Sequence, residues 1–159
     1  MNSLDINKFH TPLVFRSRPE AIPGDLRPIW RIGIVILMLH LASRGDKASL
    51  AKIHVLNWAI QSKENQNSLL QIIDGKISPD TIIVRIEPSL NRALDYANGE
   101  GLIEFISGKN VHLTPQGKVT AHRLMTKDDL LTCEKNFFRE IGKSNITEQF
   151  VAKLFSEGR

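Results

Sequence analysis

The stretch "IWRIGIVILMLHL", residues 29–41, constrains the fold more than any other part of this sequence. Ile32, Val35, Ile36 and Leu39 recur at helical spacing and mark one face, while Ile29, Ile34, Leu37, Met38 and Leu41 cover most of the rest. A helix that is apolar nearly all round has to be covered nearly all round. A bilayer span needs roughly 20 such residues. This run has only 13 and contains Arg31 and His40, so it predicts a buried helix. A chain of 159 residues rarely encloses a helix completely by itself. Part of the surface of this helix, through Ile34, Leu37, Met38 and Leu41, is therefore expected to meet flanking segments or another chain.

The other elements follow from local signals. Pro12, Pro19, Pro23 and Pro28 forbid a long helix before Pro28 and predict an extended arm over 1–27. Pro28 then opens the apolar helix (27–42), and Gly45 stops it. Asp46 is expected to cap a second helix over "KASLAKIHVLNWAI". The polar "QSKENQNS" reads as a loop or frayed turn, "LLQII" as one more helical turn, and the β-branched "TIIVRI", 81–86, as a strand. Pro88 opens a helix whose Leu90, Ala93, Leu94 and Ala97 form a core stripe. "LIEFI", "SGKN" and "VHL" make a β-hairpin. Thr114 caps a helix over 115–125, with Pro115 in its first turn and Gly117 allowing close backbone approach. Two amphipathic helices end the chain, one carrying Leu130, Leu131, Phe137, Phe138 and Ile141, the other Ile146, Phe150, Val151, Leu154 and Phe155.

Composition narrows the functional classes. The net charge of +4 is too small for binding nucleic acid by charge alone. Residues 1–45 hold six basic and three acidic groups, whereas 85–125, which contain the hairpin, hold five and four. Cys133 is the only cysteine, so neither an intrachain disulfide nor a cysteine zinc cluster is possible. The N-terminal residues lack a basic segment followed by an apolar one, and a cytoplasmic location is expected. There is no phosphate-binding Gly-rich loop ending in Lys-Ser or Lys-Thr. None of the five histidines pairs with another at metal-ligand spacing on one element. Asp128 and Asp129 are expected to cap a helix, and Cys133, Trp30 and Trp58 to pack in the core. The expectation is a non-enzymatic protein with no cofactor, no metal, no small-molecule substrate and no membrane.

The order of elements is that of a winged helix: mainly α with a small β-wing, a winged helix-turn-helix core over 28–125 with an insertion at 61–86, and a C-terminal helical docking segment over 126–159. "SLNRALDYANGEGLIEF…GKNVHLTPQGKVTAHRL" resembles the recognition helix and wing of many bacterial winged-helix proteins. Roughly 25 residues separate the second helix from the third, where a compact helix-turn-helix has a turn of a few. With that insertion, "VRIEPSLNRALDYANGEGLIE" followed by a short wing and "LTPQGK" resembles the small middle component of bacterial ABC-three-component, Lamassu-type, anti-phage defence systems. The resemblance implies an accessory subunit that bridges an SMC/Rad50-like ATPase and an effector.

Two sets of candidate residues follow. Contact with double-stranded DNA falls to Ser89, Asn91 and Arg92 on the third helix, Lys109 at the hairpin and Lys118 beyond it, since Asn and Arg read base edges and Ser and Lys reach phosphates. Docking to protein partners falls to Ile34, Leu37, Met38, Leu41, Leu131, Phe138, Phe150 and Leu154. The alternative expectation is a dimeric winged-helix transcription regulator that reads a palindrome with its third helix.

Overall fold

A computed structural model describes residues 27–156; the proline-rich arm before Arg27 lies outside the described residues. The apolar run forms α1, Arg27–Leu41, and sits where its composition requires, at the centre. Every residue from Ile34 to Leu39 is buried, as is Ala42. Four helices share the covering: α2 (Leu50–Ile60), α4 (Pro88–Gly99), α5 (Pro115–Met125) and α6 (Thr132–Ile141) all pack against α1. The first turn of α1 is less enclosed, with Ile29 63% and Trp30 37% exposed. Trp30 is thus a surface residue, contrary to the sequence expectation.

The C-terminal helices fold back onto this chain. α6 lies on α1, and α7 (Glu148–Ser156) packs on α2 and on the short 3-10 turn Pro79–Thr81. α6 has the strongest apolar stripe of the two, with Phe137, Phe138 and Ile141 buried. The residue before it, Leu131, holds a left-handed backbone (φ 54°). A leucine tolerates that conformation only where its side chain is well anchored; here it is buried, and its Cδ1 lies where a Cβ added at Gly33 of α1 would meet it at 3.3 Å. Asp128 and Asp129 do not cap α6, and Cys133 is exposed rather than packed.

Among the described residues three antiparallel strands complete the fold. β1 (Lys47–Ser49), β2 (Ile103–Ile106) and β3 (Asn110–Leu113) lie in the order β1-β3-β2. Ala48 opposes Val111, and Phe105 opposes Val111 from the other side. Ser107 and Gly108 turn the hairpin with φ of 53° and 68°, the pair of positive values that a primed hairpin turn needs. β1 displaces the expected start of α2. Ser49, not Asp46, is the cap, its hydroxyl accepting from the Lys52 N–H.

The 61–86 region also differs from expectation. Ser62 caps α3, Lys63–Ile73, and Asn65 donates to the Trp58 carbonyl, so the polar run is the outer face of a helix anchored by buried Leu69 and Ile72. Residues 82–87 form no strand with the described residues, leaving Ile83 72% and Ile86 63% exposed. β-propensity alone does not make a strand without an edge to join. Among the described residues no helix is long and apolar enough to cross a membrane.

Candidate functional site

α4 and the hairpin carry the candidate contact residues. Leu90, Ala93, Leu94 and Ala97 turn one face of α4 into the core, which leaves Ser89, Asn91, Arg92 and Asp95 outward. Glu87 precedes the helix and gathers four donors. Its carboxylate accepts from Arg31 of α1 at 2.8 Å, from Asn57 of α2 at 3.2 Å, from Ser89 at 3.4 Å and from Gln61. Asn57 is itself 2% exposed, so the network reaches the interior. Burial pushes the Glu87 carboxyl up, but the hydrogen bonds from Asn57 and Arg31, the Arg31 charge and Ser89 outweigh it and hold the carboxyl below its ordinary 4.5. The start of α4 is therefore clamped to α1 and α2 by charge-assisted hydrogen bonds, which are stronger than neutral ones.

Buried His54 of α2 lies beneath this clamp. Burial lowers its pKa below 6.5, opposed by the Asn91 side chain and the Glu87 charge. Its Nδ1 has no hydrogen-bond partner among the described residues. Two of the DNA candidates thus also face their own chain: Ser89 donates to Glu87, and Asn91 neighbours His54.

The remaining three sit apart from one another in chemistry. Lys109 is exposed at the end of the hairpin turn, its carbonyl accepting from the Leu50 N–H at 2.9 Å. Arg92 is exposed on α4. Lys118 of α5 lies 3.6 Å from the Asp46 carboxylate, which also meets His40 at 3.4 Å and Lys143 at 4.0 Å. His40 and His122 stack edge to face, with centroids 5.2 Å apart. No group of three potential metal ligands occurs among the described residues.

The docking candidates divide differently. Leu37, Met38 and Phe138 are 0% exposed, and Ile34, Leu131 and Leu154 no more than 5%. These six are core of this chain and offer no surface, which corrects the expectation. The physical reason is that α2, α4, α5 and α6 together cover α1, while α7 packs on α2. Leu41 and Phe150 are half-buried at the core's edge.

An apolar surface does exist elsewhere. A groove of about 640 Å³ opens between α1, α4 and α5, lined by Ile29, Ile32, Ile36, Tyr96, Leu102 and Leu124. Tyr96 is 57% exposed. Sequence patterning missed it because Tyr96 falls on the polar side of α4 and Ile29 on a helix taken as buried. Glu87, Arg31, Asn57 and Asp46 were missed because single polar residues reveal their partners only in the fold. No family model, curated protein or solved structure matches the chain.

Proposed function

We propose that this chain is a non-enzymatic accessory subunit on a winged-helix frame, which docks an SMC/Rad50-like ATPase and an effector of a bacterial anti-phage defence assembly. The groove between α1, α4 and α5 is the observation that carries docking, because exposed Ile29 and Tyr96 flank a contiguous apolar concavity of about 640 Å³. Helical anchors fit such a groove. The winged-helix frame is supported by element order, with a strand after α1, the helix α4 leading into the hairpin, and the sheet order β1-β3-β2. The defence assignment rests on the resemblance of residues 84–118. No bond is made or broken by this chain; its role is to fix partner geometry.

The experiment is co-expression of the whole chain with the ATPase encoded beside it. Ile29→Asp and Tyr96→Asp are expected to abolish co-purification without changing the melting temperature, since both residues are exposed. Val119→Asp, 51% exposed and outside the groove lining, should leave it intact. Survival of the complex in the Ile29/Tyr96 double variant refutes the proposal.

A regulator remains the second reading because Arg92 and Lys109, one on α4 and one at the wing, are exposed and form no ion pair among the described residues. It requires duplex binding that falls steeply with salt.

A further inference from the structure

A second cavity, of about 440 Å³, lies at the opposite kind of surface, where β1 and the start of α2 meet the 143–148 segment between α6 and α7. Four cations line it: Arg44, Lys47, Lys52 and Lys143. Glu148 is the one carboxylate in the lining, and its Oε1 is already engaged by the Ser49 N–H at 3.2 Å. The Arg44 guanidinium is anchored to the Ser144 hydroxyl at 3.0 Å, and the Lys143 ammonium lies 4.0 Å from Asp46 at the outer side.

Lys52 distinguishes this cavity from an ordinary basic surface. The residue is 4% exposed, yet it forms no ion pair and no side-chain hydrogen bond among the described residues. A lysine whose side chain is this deeply set without an ion-pair partner is costly, and such groups are normally paired. Burial lowers its pKa, Glu148 partly restores it and Arg44 lowers it further. An anion in the cavity would supply the missing partner. Two phosphate-friendly features accompany it: the first turn of α2, which brings Lys52 to the cavity, and a positive majority of lining charges.

We infer that this cavity binds the phosphate group of a small phosphorylated molecule, with the Lys52, Arg44, Lys47 and Lys143 cations as its counter-charges. The volume exceeds what one phosphate fills and lies within the usual range for small-molecule sites. Ala48 and Ile146 add an apolar patch, and Asn110 and Thr147 add neutral polar groups, for the body of the ligand. A duplex does not satisfy Lys52 equally well. Its phosphates lie on a convex rod that reaches exposed lysines such as Lys109, not one set 4% exposed in a concave site.

Thermal melting of the whole 159-residue chain tests this with inorganic phosphate, AMP, adenosine and, at matched ionic strength, chloride. Phosphate and AMP should raise the melting temperature saturably; adenosine and chloride should not. Lys52→Met should erase the shift, and Lys143→Gln should weaken the apparent affinity roughly tenfold, the value of one charge-assisted contact. AMP binding more tightly than phosphate, or the two binding equally, both uphold the site; the first shows that the body is read and the second that the phosphate alone is. If Lys52→Met does not fold, Lys143→Gln and Arg44→Gln carry the test from the rim. The inference is overturned by no shift with millimolar phosphate or AMP, by a shift that survives all the substitutions, or by Lys52-dependent binding of duplex DNA alone.

Discussion

Gly117→Ala should be the most damaging single-methyl change in this protein. Gly117 lies in the first turn of α5, where its N–H donates to Thr114 Oγ1 at 3.0 Å. A Cβ there would sit 1.9 Å from the Leu102 carbonyl oxygen, 3.0 Å from its carbon and 3.1 Å from Leu113 Cδ2. Ordinary contact begins near 3.5 Å, so backbone must separate by well over an ångström. The Leu102 oxygen is also the acceptor of the Thr114 N–H at 3.1 Å, the bond that ties the foot of the hairpin to the start of α5. Overpacking costs about 1–3 kcal/mol, and weakening that bond about 1 kcal/mol more. Alanine's better helix propensity returns up to about 1 kcal/mol. The net loss is about 2–3 kcal/mol, which for a domain of this size lowers the melting temperature by about 4–12 °C. Gly99→Ala is the control: it lies at the end of α4 with nothing within 4 Å of the added methyl and should be neutral or slightly stabilising. Calorimetric melting of both variants decides the matter. If Gly117→Ala melts no lower than Gly99→Ala, the close approach of α5 to the hairpin is wrong.

Two further outcomes are expected. Phe138→Ala should cost about 3–5 kcal/mol in urea unfolding, because the ring is 0% exposed between α6 and α1, while Cys133→Ser on the same helix should change stability by less than about 0.5 kcal/mol, since the thiol is exposed; a small loss for Phe138→Ala would return that residue to the surface. Stability should also fall in two stages on acidification. His54 resists protonation in the folded state, so the unfolded chain takes up the proton first and stability drops as pH falls below 6.5. Glu87 keeps its charge in the folded state below 4.5, so a second loss follows there and runs down through its folded pKa. A single group gives a slope of at most about 1.4 kcal/mol per pH unit. His54→Asn should remove the first stage and Glu87→Gln the second, read by urea unfolding across pH; an unchanged profile in both refutes the clamp.

The elements that could be read from the sequence are those whose signals are local. Thr114, Pro115 and Gly117 announce the start of α5 within four residues, and Leu90, Ala93, Leu94 and Ala97 set the inward face of α4 with no other information. β1 could not be read this way. Three residues, Lys47–Ser49, become a strand only because β3 offers its free edge. α3 was legible only at its apolar end, "LLQII", since the polar residues before it mask a helix anchored by just two buried residues, Leu69 and Ile72. The docking residues expose the deepest limit. Periodicity states that Leu37 and Phe138 must be covered, and says nothing of whether this chain or another covers them. Lys52 is the converse case: a lysine in the apolar "LAKIHVLNWAI" signals an unusual environment, but the cavity beside it exists only after 143–148 folds across β1 and α2.

The clamp at Glu87 bears on which partner α4 serves. A helix that reads bases presents its N-terminal side chains free to the groove. In this protein the corresponding end of α4 is tied down: Glu87 is held by Arg31, Asn57 and Gln61, Ser89 donates to Glu87, and Asn91 borders buried His54. Presenting that end to a duplex would bring the Glu87 carboxylate toward phosphates. At the other end of the same helix Tyr96 and Glu100 line the apolar groove, and Tyr96 stands more than half exposed. One helix therefore has a polar end committed to its own fold and an aromatic end left uncovered. The proposed docking role uses that division, and Tyr96→Asp against Arg92→Ala separates it from DNA binding: under the proposal the first should disrupt assembly, the second only a weak, salt-sensitive contact with DNA.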